Sequence, residues 1–417
     1  MNCQIICVGT EILLGDIVNT NAATLSKELA SLGINVFYQT VVGDNARRLE
    51  KSIKDALVEN DILILTGGLG PTADDITKEV CAKVMGVEME TDKKQLDRIR
   101  EYFSAKGVMM SPTNEKQAKI PKGATVLEND NGTAPGFLLE KDKKIIVCLP
   151  GPPREMKPMF ENKAKPILEK YSSSRLVSHN VRMIGIGESD MAHRAGDLLG
   201  SENPTVAPYA KDGECLLRVT AKADSVEEAE KLCEETLEKI FKKFSKYIYG
   251  VDVNGIEYAV VRRLREEKLK VAFAESCTGG LCAKRITDVP GASEVFECGV
   301  VSYSNDIKNA VLGVNKHDLD NYGAVSKPVA QQMAQGVRKL SGADIGVGIT
   351  GIAGPGGDGT DKPVGLCYVA VAYEGGCVCR EIKSARKDRD YNRITASSAA
   401  FDEIRKTIDI IIKRGDI

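Results

Sequence analysis

The feature of this sequence that most restricts its fold is an apolar run that breaks at a glycine-rich turn and then continues with helical spacing. Residues 269–274 are mostly apolar and follow a charged stretch, which is typical of a buried parallel strand. The turn at 275–280 follows, and from Leu281 the apolar residues recur at helical intervals. Such a turn lies at the carboxyl end of a sheet, where the unpaired N–H groups of the helix can hold an anion or an oxyanion.

Ser276 lies in this turn, and Gly279 and Gly280 allow a ligand to approach the backbone closely. The same residues also fit an ordinary strand-to-helix connection, in which the hydroxyl of Ser276 or Thr278 caps the helix. The turn by itself therefore does not distinguish a binding site from a helix cap.

Two later segments favour a site. Residues 298–303 have the character of another strand and run into a helix start at 304–308, which contains a lysine. Residues 344–349 form an apolar strand that runs into the glycine-rich loop 350–357. Open α/β sheets bind ligands in the crevice at the carboxyl ends of their strands, so we predict that the three junctions form one site.

A similar junction occurs near the amino terminus. The apolar strand predicted at residues 61–65 runs into the sequence T-G-G-L-G-P-T-A-D-D at 66–75. A glycine loop at the end of a strand presents its backbone N–H groups to a phosphate. The residues to which we assign this role are Thr66, Gly67, Gly68 and Gly70.

Carboxylates beside such a loop can hold a divalent metal that also binds the phosphate. Asp74 and Asp75 are the first candidates, ahead of Glu11 and Asp16, which lie near the ends of neighbouring predicted strands. The alternative is that Asp74 or Asp75 only caps the following helix. The residues alone also leave open whether the phosphate belongs to a nucleotide or to a pterin.

The order of the predicted elements gives the fold class. Alternating strands and helices predict an α/β protein with two parallel-sheet domains, at residues 1–170 and 251–417. Residues 171–250 between them combine exposed strands with one long amphipathic helix, which predicts a small α+β middle domain. No catalytic constellation is apparent in this middle part.

Composition excludes several classes of function. The chain has 417 residues and a net charge of -2, without the basic excess expected of a nucleic-acid-binding protein. An apolar strand begins almost at once, no charged leader precedes it, and no apolar stretch is long enough to span a membrane. Twelve cysteines are scattered over predicted strands and helices, with three histidines that do not have zinc-site spacing. We expect a cytoplasmic protein with no direct nucleic-acid or membrane partner.

The motifs around Ser276 resemble a known family, the CinA (competence/damage-inducible protein A) proteins. The segments that resemble its carboxyl-terminal domain are A-E-S-C-T-G-G at 274–280, Y-S-N-D-I-K at 303–308 and G-I-T-G-I-A-G-P-G-G at 348–357. The resemblance implies a nicotinamide mononucleotide deamidase, an amide hydrolase of pyridine-nucleotide salvage.

The amino-terminal motifs resemble the molybdopterin-binding fold that the same family carries. They are G-T-E-I-L-L-G-D at 9–16, T-G-G-L-G-P-T-A-D-D at 66–75 and L-P-G-P-P-R-E-M at 149–156. For this part the resemblance implies metal-dependent hydrolysis of ADP-ribose, a pyrophosphatase activity. The expected cofactor is a divalent metal (Mg, Mn or Co) in the amino-terminal domain, with none needed for deamidation.

Hydrolysis of a carboxamide requires a nucleophile, a base and donors for the oxyanion. The three carboxyl-terminal motifs contain no histidine, so a buried lysine is the available base. We assign Ser276 as nucleophile, Lys308 as base and Tyr303 as a group that relays or orients the proton, which matches the set implied by the resemblance. Thr278 and the N–H groups of 278–280 are assigned to the oxyanion, and Cys277 is the rival nucleophile.

The substrate's ribose phosphate is expected in the loop 350–357, through Thr350, Gly351 and Gly354. Arg389 and Arg393 are one helical turn apart, and we prefer Arg393 as the phosphate ligand. The alternative is that both arginines are solvated or form salt bridges.

Two alternatives to a bifunctional enzyme remain. One is a pterin-phosphate binding protein without deamidase activity, and the other is an interaction protein of DNA uptake. We expect the small-molecule partners nicotinamide mononucleotide and ADP-ribose, and a homodimer.

Overall fold

The computed structural model describes residues 1–171 and 175–415, with side chains described up to residue 413. The chain divides into two compact units, one comprising residues 1–178 and 221–232 and the other residues 179–220 and 233–417. Within the described residues, no helix is both long enough and apolar enough to cross a membrane.

The amino-terminal part alternates strands and helices. Its strands are β1 Asn2–Val8, β2 Asn35–Val42, β3 Ile62–Thr66, β4 Met89–Thr91, β5 Lys119–Pro121, β6 Thr125–Leu127, β7 Gly136–Lys141 and β8 Lys144–Leu149. Its helices are α1 Thr10–Leu14, α2 Thr20–Ser31, α3 Ala46–Glu59, α4 Thr77–Met85, α5 Lys93–Ala105, α6 Pro153–Met159 and α7 Lys165–Leu168. A six-stranded sheet has the order β2-β1-β3-β8-β7-β6.

The apolar runs explain the centre of this sheet. All five residues of β3 are buried, and β3 pairs in parallel with β1 and β8, so hydrophobic residues cover both of its faces. The strands β7 and β6 continue the sheet in antiparallel pairing. The α/β class is therefore confirmed, with an antiparallel edge added to the parallel strands. Within the motif at residues 9–16, the chain forms the short helix α1.

The middle part contains β9 Arg175–Met183, α8 Glu188–Ala195, β10 Thr205–Lys211, β11 Glu214–Ala223, α9 Val226–Phe244 and β12 Ile248–Val251. Its four strands form one sheet in the order β10-β11-β9-β12. The hydroxyl of Ser225 accepts the N–H of Glu228 at 3.1 Å and so caps the long helix α9.

The carboxyl-terminal part has a five-stranded sheet of β13 Val271–Glu275, β14 Phe296–Val301, β15 Ile345–Gly351, β16 Leu366–Tyr373 and β17 Gly376–Lys383. Its helices are α10 Ile256–Glu266, α11 Leu281–Thr287, α12 Asn305–Leu312, α13 Lys316–Tyr322, α14 Lys327–Ser341 and α15 Arg389–Gly415. The order is β14-β13-β15-β16-β17. β13 pairs in parallel with β14 and β15, whereas β16 and β17 are antiparallel. The three predicted junctions thus follow the three parallel strands.

Close packing of the helices α12 and α14 depends on a glycine in α14. A Cβ on Gly336 in α14 would overlap the carbonyl oxygen of Leu312, the last residue of α12. Alanine has a higher helix propensity than glycine by about 1 kcal/mol, so Gly336→Ala should stabilise an isolated helix.

In the folded protein we expect the opposite sign, a destabilisation of about 1–3 kcal/mol, because the overlap is with backbone. Chemical denaturation of the variant measures it. The control is Gly357→Ala, where a Cβ would meet no atom within 4 Å. Equal stability of the two variants would contradict the packing argument.

Candidate active site

Ser276 lies directly after β13, between the ends of the two neighbouring parallel strands. Its N–H donates to the carbonyl of Ile349 in β15 at 2.9 Å, and its side chain is largely buried. The central strand thus holds the serine at the carboxyl edge of the sheet. This is the crevice in which the sequence predicts the site.

The amine of Lys308 meets the hydroxyl of Ser276. The helix α12 begins after Ser304, whose hydroxyl caps it by accepting the N–H of Ile307 at 3.3 Å. One turn into this helix, Lys308 is 1% exposed, and its Nζ lies 3.1 Å from Ser276 Oγ. The predicted pair of nucleophile and base is therefore in hydrogen-bonding contact.

Two carbonyl groups orient the amine. Lys308 Nζ donates to the main-chain oxygens of Ser302 at 2.8 Å and Tyr303 at 3.2 Å. A neutral amine has two N–H groups, which these carbonyls accept, and one lone pair, which remains for the proton of Ser276. Burial lowers the pKa of Lys308, and burial favours this neutral form. The arrangement can deprotonate a serine hydroxyl.

Tyr303 contacts the lysine in a way that the sequence does not predict. Its carbonyl accepts from Lys308, whereas its side chain is 63% exposed and its hydroxyl accepts from Arg389 Nη2 at 3.2 Å. Tyr303 therefore contacts the base Lys308 through its main chain. A role of the hydroxyl in proton transfer stays a prediction.

The N–H groups predicted for the oxyanion are largely occupied. Gly279 N–H donates to the Ser276 carbonyl at 3.1 Å, and Gly280 N–H donates to the Glu275 carboxylate, also at 3.1 Å. These contacts leave Thr278 as the remaining candidate. Its side chain is fully buried, and its hydroxyl has no hydrogen-bond partner among the described residues. The prediction of a hole built from all three N–H groups is wrong, since two of them are taken within the turn.

Cys277, the rival nucleophile, has its thiol packed in the hydrophobic core. Its Sγ lies 4.0 Å from Cys367 Sγ, and its side chain belongs to the core cluster beneath the sheet. Of the two residues, Ser276 is the one whose side chain is in hydrogen-bonding contact with the lysine among the described contacts.

The loop 350–357 is shaped by close contacts. The Thr350 hydroxyl donates to the carbonyl of Ala324 at 2.8 Å, and a Cβ on Gly351 would lie 2.8 Å from Cys367 Cβ. Gly354 has φ +92, a left-handed conformation that favours glycine. Thr350 and Gly351 therefore support the loop. The proton of the Thr350 hydroxyl is already donated to Ala324 and is not free for a ligand.

Both arginines of α15 contact this edge of the sheet. Arg393 Nη2 donates to the carbonyl of Thr278 at 2.8 Å. Arg389 Nη1 donates to the carbonyl of Gly354 at 2.9 Å, while its other nitrogen contacts the hydroxyl of Tyr303. Arg393 also lies 3.7 Å from the exposed carboxylate of Asp390. The guanidinium group of Arg393 thus lies on the Ser276 turn, and that of Arg389 connects the other two junctions.

The amino-terminal glycine loop has its predicted place at the end of β3. Gly67 and Gly68 have φ +106 and +67, and a Cβ on either would overlap neighbouring atoms. With Gly70 they line a cleft of about 470 Å³ that also contains Glu11, Asp74 and Asp75. Thr66 has a different position: its hydroxyl is buried and donates to the Pro150 carbonyl at 2.8 Å.

The four carboxylates predicted to bind a metal do not converge on one point. The Asp75 carboxylate accepts from both the N–H and the hydroxyl of Thr72, which closes the loop. Asp16 is exposed and is absent from the residues that line the cleft. Across residues 1–171 and 175–415, no three His, Cys, Asp or Glu side chains converge as a metal site. A metal held by the protein alone does not fit these residues.

Asp74 is the carboxylate of the loop that remains available. The nearby polar side chain of Thr72 lowers the pKa of Asp74, which keeps this side chain ionised. Together with Glu11 it gives the cleft two carboxylates near a glycine loop. This suits a cation shared between the protein and a bound phosphate.

Sequence reasoning did not assign a role to Glu275. An acidic residue at the end of a buried strand, immediately before a glycine turn, is unusual in sequence, and this position could have indicated a role for Glu275. The sequence also does not distinguish the contacts of Arg389 from those of Arg393, because spacing on a helix does not show which carbonyl each guanidinium reaches.

Three family models match the chain. Residues 253–408 match the CinA C-terminal domain, residues 4–170 a probable molybdopterin binding domain, and residues 178–250 the damage-inducible protein CinA KH domain. Together the models span most of the chain.

Similar proteins extend over almost the full length. A putative competence-damage inducible protein of Caldicellulosiruptor saccharolyticus is 49% identical over 409 residues, covering 98% of this chain and 99% of that protein. One from Clostridium beijerinckii is 47% identical over 409 residues, covering 98% and 100%. The crystal structure of the protein CinA, of unknown function, from Thermoplasma acidophilum is 37% identical, with a TM-score of 0.38, covering 40% of this chain and 97% of that one.

Proposed function

The chain belongs to the CinA family, and from this membership we propose that its carboxyl-terminal part hydrolyses the carboxamide of nicotinamide mononucleotide to nicotinate mononucleotide and ammonia. The observation that carries the proposal is the 3.1 Å contact between Ser276 Oγ and the buried amine of Lys308. A serine with a neutral lysine as its base can perform amide hydrolysis. The membership by itself establishes only the family.

The chemistry follows from this contact. Ser276 Oγ attacks the amide carbon while its proton passes to Lys308 Nζ, and a tetrahedral oxyanion forms. Collapse of this intermediate breaks the C–N bond, and Lys308 returns the proton to the departing ammonia. Water, deprotonated by the same amine, then hydrolyses the acyl-serine and restores both side chains. Thr278 is the proposed donor to the oxyanion, since its buried hydroxyl lacks a partner among the described residues.

The two arginines supply charge for the substrate's phosphate. Arg389 and Arg393 lie at the rim of the same edge, each with one guanidinium nitrogen on a loop carbonyl. A guanidinium has five N–H donors, so Arg393 and also Arg389, whose other terminal nitrogen donates to the Tyr303 hydroxyl, retain further donors for a phosphate. We propose that both arginines contribute, whereas the sequence favoured Arg393.

The direct test is an assay of ammonia release from nicotinamide mononucleotide by the purified full chain. We expect nicotinate mononucleotide as the second product, in equal amount. Free nicotinamide, which lacks the ribose phosphate, should be a poor substrate because it cannot contact the arginines. Absence of ammonia release from the mononucleotide would refute the proposed activity.

We propose a second activity, hydrolysis of ADP-ribose at its pyrophosphate, for the amino-terminal cleft. The supporting observation is a cleft of about 470 Å³ in which the glycine loop and the carboxylates of Glu11 and Asp74 lie together. Metal dependence belongs to this proposal: Mg, Mn or Co would supply charge to the phosphates while sharing one or two carboxylates. The alternative ligand, a pterin phosphate, would occupy the cleft without being hydrolysed.

A chelator should separate the two activities. We expect it to stop ADP-ribose hydrolysis and leave deamidation unchanged, because the residues around Ser276 act without a metal in the proposed mechanism. Asp74→Asn should lower ADP-ribose hydrolysis by about 10-fold or more, since it removes a carboxylate from the cleft. The measurement is both activities, on the native chain and the variant, with and without chelator.

Ser276→Ala is the matched control, with ADP-ribose hydrolysis retained and deamidation lost. Loss of deamidation in chelator would show that a metal acts at the Ser276 site. The predicted homodimer is checked separately by sedimentation of the full chain.

A further inference from the structure

Glu275, the last residue of β13, has a buried carboxylate beside the proposed nucleophile. It is 1% exposed, and it accepts three main-chain N–H groups. Oε2 accepts from Gly280 and Cys282, each at 3.1 Å, and Oε1 accepts from Ala283 at 2.9 Å. Both oxygens of this buried carboxylate are therefore held by main-chain donors.

These contacts close the amino terminus of α11. The remaining N–H groups of the region are also paired, Gly279 with the Ser276 carbonyl and Leu281 with the Thr278 carbonyl. The N–H groups from 279 to 283 therefore all have acceptors inside the protein. The positive end of the helix is neutralised by a fixed negative charge, so it is not available to a substrate anion.

The main chain of Glu275 leads to the base as well. Its carbonyl accepts the N–H of Ser302 at 2.8 Å, and the Ser302 carbonyl accepts from Lys308 Nζ at 2.8 Å. One residue therefore connects to the helix after the nucleophile through its side chain, and to the strand end that holds the base through its carbonyl. The path closes at the contact of Lys308 with Ser276.

We propose that Glu275 is a positioning residue that sets the separation of Ser276 Oγ and Lys308 Nζ by anchoring the Ser276 turn against the strand end at Ser302. The proposal rests on the amidase function proposed above. A residue that only caps the helix would affect stability alone. A positioning residue should, when its carboxylate is lost, also lower the reactivity of the serine in the protein that remains folded. A displacement of about 1 Å between reacting groups lowers rates by about 10²-fold.

Glu275→Gln is the informative variant. The amide keeps the size of the side chain, but its NH₂ group faces an N–H donor, so at least one of the three hydrogen bonds is lost. We expect kcat to fall by about 10- to 100-fold while KM changes by less than about threefold. Glu275→Asp keeps the carboxylate but shortens the side chain, so its kcat should lie between those of the native protein and Glu275→Gln. This variant provides the test if Glu275→Gln folds poorly.

Glu257→Gln is the matched control in the same unit. The Glu257 carboxylate, in α10, pairs with Arg285 of α11 at 2.6 Å, so its loss weakens the packing of the same helix. Glu257 has no recorded contact with the Ser276 turn in the described residues. We expect both glutamine variants to lower the melting temperature and only Glu275→Gln to lower kcat.

A second readout keeps this test independent of the substrate. A fluorophosphonate probe reports the nucleophilicity of a serine, and mass spectrometry locates the label. We expect Ser276 to be labelled at the native rate in Glu257→Gln and at least about 10-fold more slowly in Glu275→Gln. Labelling of Ser276 without hydrolysis of nicotinamide mononucleotide would refute the proposed substrate and leave the positioning role standing.

Three results would overturn the positioning role. One is an equal loss of kcat in the two glutamine variants, and another is a native labelling rate in folded Glu275→Gln. The third is a native enzyme that is not labelled at Ser276.

Discussion

Ser276→Ala is expected to lower the turnover of nicotinamide mononucleotide by roughly 10⁴-fold or more, because it removes the atom that forms the covalent intermediate. The protein should remain folded. The hydroxyl gives up a single hydrogen bond, to Lys308, and its N–H contact with Ile349 does not depend on the side chain. Steady-state ammonia release measures the loss, and circular dichroism checks the fold.

Cys277→Ala is the control for this result. The Cys277 thiol lies against Cys367 in the core, so its removal should affect stability slightly and leave most of the turnover. Trapping of an acyl-enzyme with mass spectrometry would place the acyl group on residue 276. An inactive Cys277→Ala protein beside an active Ser276→Ala protein would reverse the assignment of the nucleophile.

Lys308→Met is expected to lower kcat by about 10²- to 10⁴-fold, the range for loss of a positioned general base. Methionine keeps an unbranched chain of similar length and adds no charge to the buried position. The carbonyls of Ser302 and Tyr303 lose a donor, which costs stability but leaves the arginine contacts at the rim unchanged. Calorimetry should therefore still detect binding of the substrate, and unchanged turnover would exclude Lys308 as the base.

The pH dependence tests the same residue. Burial lowers the pKa of Lys308, so turnover should fall with decreasing pH as the amine takes up its proton, and this limb should be absent from the residual activity of Lys308→Met. In the unfolded chain a lysine keeps its proton to about pH 10.4. The unfolded state then binds more protons than the native state between the lowered pKa and this value.

Stability should accordingly rise with pH through that interval, and this contribution should be lost as pH falls below the native pKa. Lys308→Met should lack this contribution, since methionine does not titrate. Denaturant unfolding of both proteins over this pH range provides the comparison.

Much of the architecture was predictable because apolar runs mark buried strands wherever they occur. The strands β3, β13 and β15 lie close to their predicted positions, since their burial depends on local hydrophobic spacing. The antiparallel pairing of β16 with β15 was not predictable from the same information. Strand direction depends on the path of the connecting chain, which hydrophobic spacing does not encode.

The sequence by itself determined that Ser276, the lysine-bearing helix start and the second glycine loop follow successive strands of one sheet. Turn and cap residues are recognisable locally, so these positions needed no coordinates. Only the tertiary structure decided which atoms meet. Lys308 reaches Ser276 through its amine, Tyr303 reaches Lys308 through its carbonyl, and Glu275 occupies the Gly280 N–H, one of the groups that the sequence assigned to the oxyanion. A hydrogen bond joins whichever donor and acceptor the packing brings within about 3 Å, and that pairing between distant segments is not written in the spacing of either one.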